Sequence, residues 1–208
     1  MSSIMSSGEP LSASRAEWVV EAHNVSLSYP GADKKAPRVE ALRRINMQVP
    51  AGKIVGWVGP DGAGKTSLVR LVTGLLHPEA GSMRVLGLDT AQDAQNIQNR
   101  ISYMPQKFGL YEDLSVRENF MLYAEIHGVP AQLRGQRYEQ LMRMTDLGRF
   151  ADRLAGNLSG GMKQKLGLAC TLVRSPDLLL LDEPTVGVDP LARRELWRII
   201  QHLDGQDL

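Results

Sequence analysis

The sequence has one cysteine in 208 residues, Cys170, which rules out an internal disulfide and suits a reducing compartment. Cys170 stands in "LGLACTLV", among apolar neighbours, and reads as a buried small hydrophobe rather than a nucleophile. Aromatic residues make up only 5% of the chain, and the net charge is only +1, so nothing pulls it toward nucleic acid or an acidic membrane surface. The pairs Lys34–Lys35 and Arg43–Arg44 are too short to change that. No apolar run approaches the roughly 18 residues that a membrane-spanning helix needs. Residues 1–16, "MSSIMSSGEPLSASRA", are serine-rich and lack an apolar core, so they do not read as a signal peptide and are expected to form a disordered tail. What is present is ordinary: 43% hydrophobic and 23% charged residues, in a chain long enough for one sizeable core. There are no internal repeats.

The folded part is expected over 17–208. Residues 18–30, "WVVEAHNVSLSYP", form a β-rich stretch, followed by a polar loop. "ALRRINMQVPAGKIVGWVGP" predicts a strand, a turn at Pro50-Ala51-Gly52, and a second strand, Lys53–Val58, apolar on both faces like the central strand of a sheet. A helix follows from Gly64 to about Leu75, then short strands in "HPEAGSMRVLG" and "IQNRISYMP". Between about 112 and 170 the spacing of apolar residues turns helical, in "SVRENFMLYAEIHG" and "AQLRGQRYEQLMRMTDLG", and reads as an inserted helical subdomain. A helix behind Ser159 to about Val173, a buried strand in "DLLLLDEP" and a closing helix in "LARRELWRIIQHL" complete the pattern. Strands alternating with helices predict an α/β core with a mostly parallel sheet.

"GPDGAGKT", Gly59 to Thr66, fits G-x-x-x-x-G-K-[ST] and stands directly between a predicted strand and a predicted helix. Backbone N–H groups from Asp61, Gly62, Ala63 and Gly64 through Thr66 and Ser67 can converge there on phosphate oxygens, helped by the helix dipole. Lys65 is placed to reach the β- and γ-phosphates and the Thr66 hydroxyl to ligate Mg²⁺. "LLLLDEP" then delivers Asp182 and Glu183 at a strand end, where α/β sheets place their ligands. Asp182 suits a second Mg²⁺ partner, and Glu183 suits the base that polarises an attacking water. "LSGGMKQ", residues 158–164, offers Ser159, Gly160 and Gly161 at the mouth of a helix, a second anion-holding arrangement.

The order and spacing of these three motifs resemble the ATP-binding cassette (ABC) superfamily over essentially the whole folded chain: a P-loop NTPase core with an antiparallel β part and an inserted helical subdomain. "LSGGMKQ" looks like the family signature, 23 residues before Asp182. "MPQ" ending at Gln106 looks like the Q-loop, whose Gln reaches Mg²⁺ and the attacking water. "VGVDP", with Asp189, looks like the D-loop that crosses the dimer interface, and Tyr29 falls where an aromatic residue stacks on adenine. "YMPQKFGLYEDLSVREN", "NLSGGMKQKLGLAC" and "GVDPLARRELW" resemble the ATPases of type-2 ABC exporters, in particular the first cassette of bacterial multidrug-efflux proteins that carry two.

The resemblance implies an ATP sandwich. Tyr29, Lys65, Thr66, Gln106, Asp182 and Glu183 of one cassette would face Ser159, Gly160 and Gly161 of another, in the same polypeptide or a homodimer. The paired cassettes would drive integral membrane permease subunits from the cytoplasmic face of the membrane. In "KFGLYEDLSV", Phe108, Leu110 and Tyr111 line a groove for a permease helix, anchor the helical subdomain, or do both. Two departures stand out. Asp61 puts a carboxylate beside the phosphate site. The family also expects a switch histidine some 30 residues past the D-loop, and none of His23, His77, His127 or His202 occupies that place. The chain is therefore expected to be C-terminally incomplete and to hydrolyse ATP poorly on its own. Two alternatives belong to other classes: a soluble ABC ATPase of translation or repair, disfavoured by near-neutral charge and by only about 90 residues between the first motif and the signature, and a regulatory cassette that binds ATP without turnover.

Overall fold

The apolar residues of Trp18–Tyr29 (β1) change phase half-way, and the strand bulges to suit. Val20 and Ala22 are buried on even positions, Val25 and Leu27 on odd ones. The switch falls at Asn24, whose φ of 52° lies in the left-handed region that Asn tolerates. The register against Val39–Pro50 (β2) shifts at the same point, so both halves of β1 keep their apolar side chains inward. Ala80–Val85 (β3) pairs antiparallel with the other edge of β1, and Leu88–Asp89 (β4) closes a four-stranded sheet in the order β2-β1-β3-β4. This computed structural model describes residues 17–31, 33 and 36–203; the predicted tail of residues 1–16 lies outside them.

The helix Lys65–Val72 (α1) buries Leu68, Val69, Leu71 and Val72 in one core with Val20, Val25, Leu42, Val49, Met83 and Val85 of that sheet. A short helix, Ala94–Gln98 (α2), adds Ile97 to it. Ile101–Met104 (β5) and Leu178–Leu181 (β6) pair in parallel, from Ile101↔Leu178 to Met104↔Leu181. That register brings the residues that follow the two strands out side by side. A second core gathers Phe120 of Val116–Ile126 (α3), Leu141 of Ala131–Thr145 (α4), Leu166 and Leu168 of Gly160–Thr171 (α5), and Leu196 of Pro190–His202 (α6). Ser115 starts α3 with a reciprocal capping box to Glu118. Cys170 is fully buried in this core, and burial pushes its thiol well above the ordinary range, as its apolar neighbours implied.

The expected central strand Lys53–Val58 is the element that differs. It makes no strand pairing, and Ile54, Val55 and Val58 are 49%, 46% and 99% exposed. The stretch and β6 both line an apolar groove of about 520 Å³, together with Trp197 and Ile200 of α6. Apolar residues on two faces require cover on two faces, and here that cover is absent: every residue of the stretch except Trp57 is exposed. The same groove explains why β6, expected to be buried, buries only Leu180.

Candidate functional site

Gly64 turns the chain into α1 with φ 86°, and a Cβ there would come within 2.4 Å of the Ala41 carbonyl oxygen, so only glycine fits. Gly64 has no side chain to cap the helix, which leaves the first-turn amides of α1 as donors for an anion. Lys65 folds back over the loop: its Nζ donates to the carbonyl oxygens of Gly59 and Pro60, each at 3.0 Å. The same ammonium lies 3.2 Å from Glu183 Oε1 and 4.0 Å from Asp61 Oδ1. The Asp61 side chain itself is fully exposed.

The parallel pair β5–β6 supplies the other half. Asp182, only 4% exposed, is anchored by its backbone N–H to the Met104 carbonyl, 2.9 Å. Its carboxylate accepts from Thr66 Oγ1 at 3.1 Å through Oδ1 and from the Tyr103 hydroxyl at 3.2 Å through Oδ2. Tyr103 was not singled out in the sequence. It stands on β5 opposite Leu180, and only the β5–β6 register brings it to Asp182. Burial first, and the Asp182 charge second, hold its phenol above the ordinary tyrosine value. One residue on, Glu183 receives the Gln106 side-chain amide, Nε2 to Oε2 3.2 Å. Glu183 has φ 50°, an uncommon backbone state for a residue with a Cβ. Two polar sets therefore stand side by side, Lys65 and Gln106 on Glu183 and Thr66 with Tyr103 on Asp182. They are neighbours through the adjacent pairs Lys65–Thr66 and Asp182–Glu183, although up to 118 positions separate their members in the chain (Lys65 to Glu183).

Tyr29 ends β1 next to this loop, with its hydroxyl 3.1 Å from Ser67 Oγ. Ser159 caps α5, its Oγ accepting from the Met162 N–H at 3.3 Å. Ser159 and Gly160 are exposed, but Gly161 is buried: a Cβ there would meet the Ala192 Cβ at 2.5 Å. Of the Ser-Gly-Gly set, then, two of the three residues reach solvent. Asp189 caps α6, its Oδ1 accepting from Leu191 and Ala192 N–H at 3.0 Å each, with Pro190 at the first helical position. Phe108 packs on Tyr123 at 5.0 Å and against Gly167, so it anchors the helical region from within. Tyr111 is 52% exposed.

Residues 42–186 match the family model described as "ABC transporter", which is well over half of the chain. The chain belongs to the ABC transporter ATP-binding family. It is 50% identical over 190 residues to the "Probable multidrug ABC transporter ATP-binding protein YbhF" of Escherichia coli (strain K12), covering 91% of this chain and 32% of that protein. To the "Daunorubicin resistance ATP-binding protein DrrA3" of Streptomyces coeruleorubidus it is 36% identical over 182 residues, 88% of this chain and 58% of the other. The chain thus spans about a third of the first relative's length and just over half of the second's. Among solved structures, a dimeric post-hydrolysis state of the ATP-binding cassette MJ0796 bound to ADP and Pi superposes with a TM-score of 0.77 at 25% identity, covering 90% of this chain and 84% of that one. The fold shared with it is the ABC cassette fold.

The donor set fits Mg²⁺. Among the described residues no three His, Cys, Asp or Glu gather into a closed metal cage. One hydroxyl, Thr66, and one buried carboxylate, Asp182, share a hydrogen bond next to the phosphate loop. A hard cation that keeps several waters and takes its remaining ligands from substrate phosphates suits such a sparse set.

Proposed function

We propose that this chain is the ATP-binding and ATP-hydrolysing cassette of an ABC-type exporter, acting with a second cassette and with membrane permease subunits from the cytoplasmic face. The observation that carries the reading is the gathering of Lys65, Thr66, Gln106, Asp182 and Glu183, in two adjacent sets of contacts, at the end of the β5–β6 pair and the start of α1. The names of the two relatives, a multidrug transporter protein and a daunorubicin-resistance protein, support small-molecule export.

The first-turn amides of α1 and the loop from Gly59 bind the triphosphate, with Tyr29 against the base. Lys65 leaves its carbonyl partners and Glu183 to pair with phosphate oxygens. Thr66 and Asp182 hold Mg²⁺, which supplies charge neutralisation on the phosphates. Glu183, freed from Lys65, accepts a proton from the attacking water at a carboxylate oxygen, and Gln106 orients that carboxylate through its amide. Ser159 and Gly160, exposed at the start of α5, serve the site of the facing cassette. Among the described residues no helix is long and apolar enough to cross a membrane.

Glu183→Gln in the full-length protein tests the assignment. The variant keeps ATP binding, since the amide retains its shape and its contact with Gln106. Turnover falls by about two to four orders of magnitude, the usual contribution of a general base. Steady-state hydrolysis at the parent rate would remove Glu183 from this role.

A further inference from the structure

One loop touches both the hydrolytic cluster and the signature segment. It begins at Gln106, which donates to Glu183. It ends at residues 111–115, which are pinned to the start of α3 by one fully buried side chain, Asn119. Asn119 Oδ1 accepts from the Tyr111 N–H at 2.9 Å, and its Nδ2 donates to the carbonyls of Tyr111, Leu114 and Ser115 at 2.9–3.1 Å. Both the carbonyl oxygen and the NH₂ group of that amide are thus engaged by the loop. Residues 111–115 therefore behave as a rigid block.

The block grips the segment that leads into α5. The Ala155 N–H donates to the Leu114 carbonyl at 2.8 Å, and the Gly156 N–H to the Glu112 carbonyl at 2.9 Å. The approach at Gly156 is tight enough that a Cβ would meet the Glu112 oxygen at 3.2 Å. The remaining contact is a side-chain one: Glu112 Oε1 lies 2.8 Å from Lys163 Nζ, on the first turn of α5, four residues past Ser159. Lys163 holds the Glu112 carboxyl below its usual range by hydrogen bond and charge. Backbone bonds thus fix the approach to Ser159, and the Glu112–Lys163 pair fixes the helix just beyond it.

We infer that Glu112 is a positioning residue for the signature: through Lys163 it sets the placement of Ser159 and Gly160. This rests on the reading of Ser159 and Gly160 as a phosphate-closing element for a facing cassette. A loop whose other end orients Glu183 thereby also sets the element offered to the neighbouring site. Glu112 touches no substrate; it acts through α5.

The test is a charge swap in the full-length protein. Glu112→Lys and Lys163→Glu are each expected to lower kcat about three- to tenfold, the scale of losing a partly exposed ion pair and replacing it with like charges. The affinity of the phosphate loop for a fluorescent ADP analogue stays at the parent value, because Lys65 and Thr66 are untouched. The double variant Glu112→Lys/Lys163→Glu restores kcat to within about twofold of the parent. Glutamate in the first turn of α5 suits the helix dipole, so the swap does not weaken the helix itself. Single variants with parent kcat, or a double variant as slow as the singles, would overturn the inference. Ser159→Arg separates the two readings. If it abolishes turnover while Glu112→Lys does nothing, the positioning role fails and the signature reading stands. If Ser159→Arg turns over normally, the signature reading fails and the inference with it.

Discussion

Two substitutions at Glu183 that remove the same chemistry should differ in stability, because the backbone there is left-handed. Glu183→Ala and Glu183→Gly both delete the carboxylate, its 3.2 Å contact with Lys65 and its hydrogen bond from Gln106. They differ only in the Cβ. At φ 50°, that Cβ crowds the following carbonyl, a cost of roughly 1–2 kcal/mol that glycine does not bear. Glycine instead loses about 0.4–1 kcal/mol through the greater freedom of its unfolded chain. The difference leaves Glu183→Gly more stable than Glu183→Ala by about 1 kcal/mol, the reverse of the order expected in a helix or strand. For a chain of this size, 1 kcal/mol corresponds to about 2–4 °C in thermal midpoint. Calorimetry of the two nucleotide-free variants, with urea midpoints as a second measure, gives the comparison directly. An alanine variant as stable as the glycine variant would refute the strained backbone at Glu183. Both variants lose turnover, so activity does not distinguish them.

Gly161→Ala forces its Cβ to 2.5 Å from the Ala192 Cβ, and parting α5 from α6 to accommodate it costs about 1–3 kcal/mol. Ala192→Gly costs about 1 kcal/mol alone through helix propensity. The double variant should be less destabilised in urea than the sum of the singles, and strict additivity would contradict the contact. Stability should also decline on the alkaline side. Cys170, pushed up by burial from an ordinary value of 9.0, and Tyr103, pushed up from 10.0 by burial and then by Asp182, both fold in their neutral forms. Groups with raised folded pKa values contribute fully below their unfolded values and lose that contribution as pH rises beyond them. The urea midpoint should therefore fall above pH 9, and Cys170→Ala should make that fall shallower between pH 9 and 10.

The phosphate loop was legible because its requirement is local. A turn that needs φ 86° with a carbonyl 2.4 Å from where a Cβ would stand demands glycine at Gly64, whatever the rest of the chain does. The capped starts of α3, α5 and α6 were legible for the same reason: Ser115, Ser159 and Asp189 each satisfy amides within three residues. The hydrogen bond from Tyr103 to Asp182 was not legible, since it depends on the parallel register of two strands 77 positions apart (Ile101 to Leu178). Nor was the clamp of Asn119, which looks in sequence like any polar residue of an amphipathic helix.

Lys53–Val58 and Gly161 show how one local pattern can answer to two different demands. An apolar run without alternation states that both faces need cover, but it does not name the element that covers them. In Lys53–Val58 one side meets a groove shared with β6, and Val58 is 99% exposed. The two glycines after Ser159 read in sequence as a single device for bringing amides to an anion. The structure divides them: Gly160 lies at the surface, whereas Gly161 lets α6 approach α5 more closely than any side chain permits. The Ala192 contact falls on the first turn of α6, which Asp189 caps. The requirement for glycine at 161 is thus a packing requirement between the signature helix α5 and α6, the helix that follows β6. That contact ties the start of the signature helix to the segment leaving Glu183, so a change in α6 would be felt at Ser159 without touching any phosphate ligand.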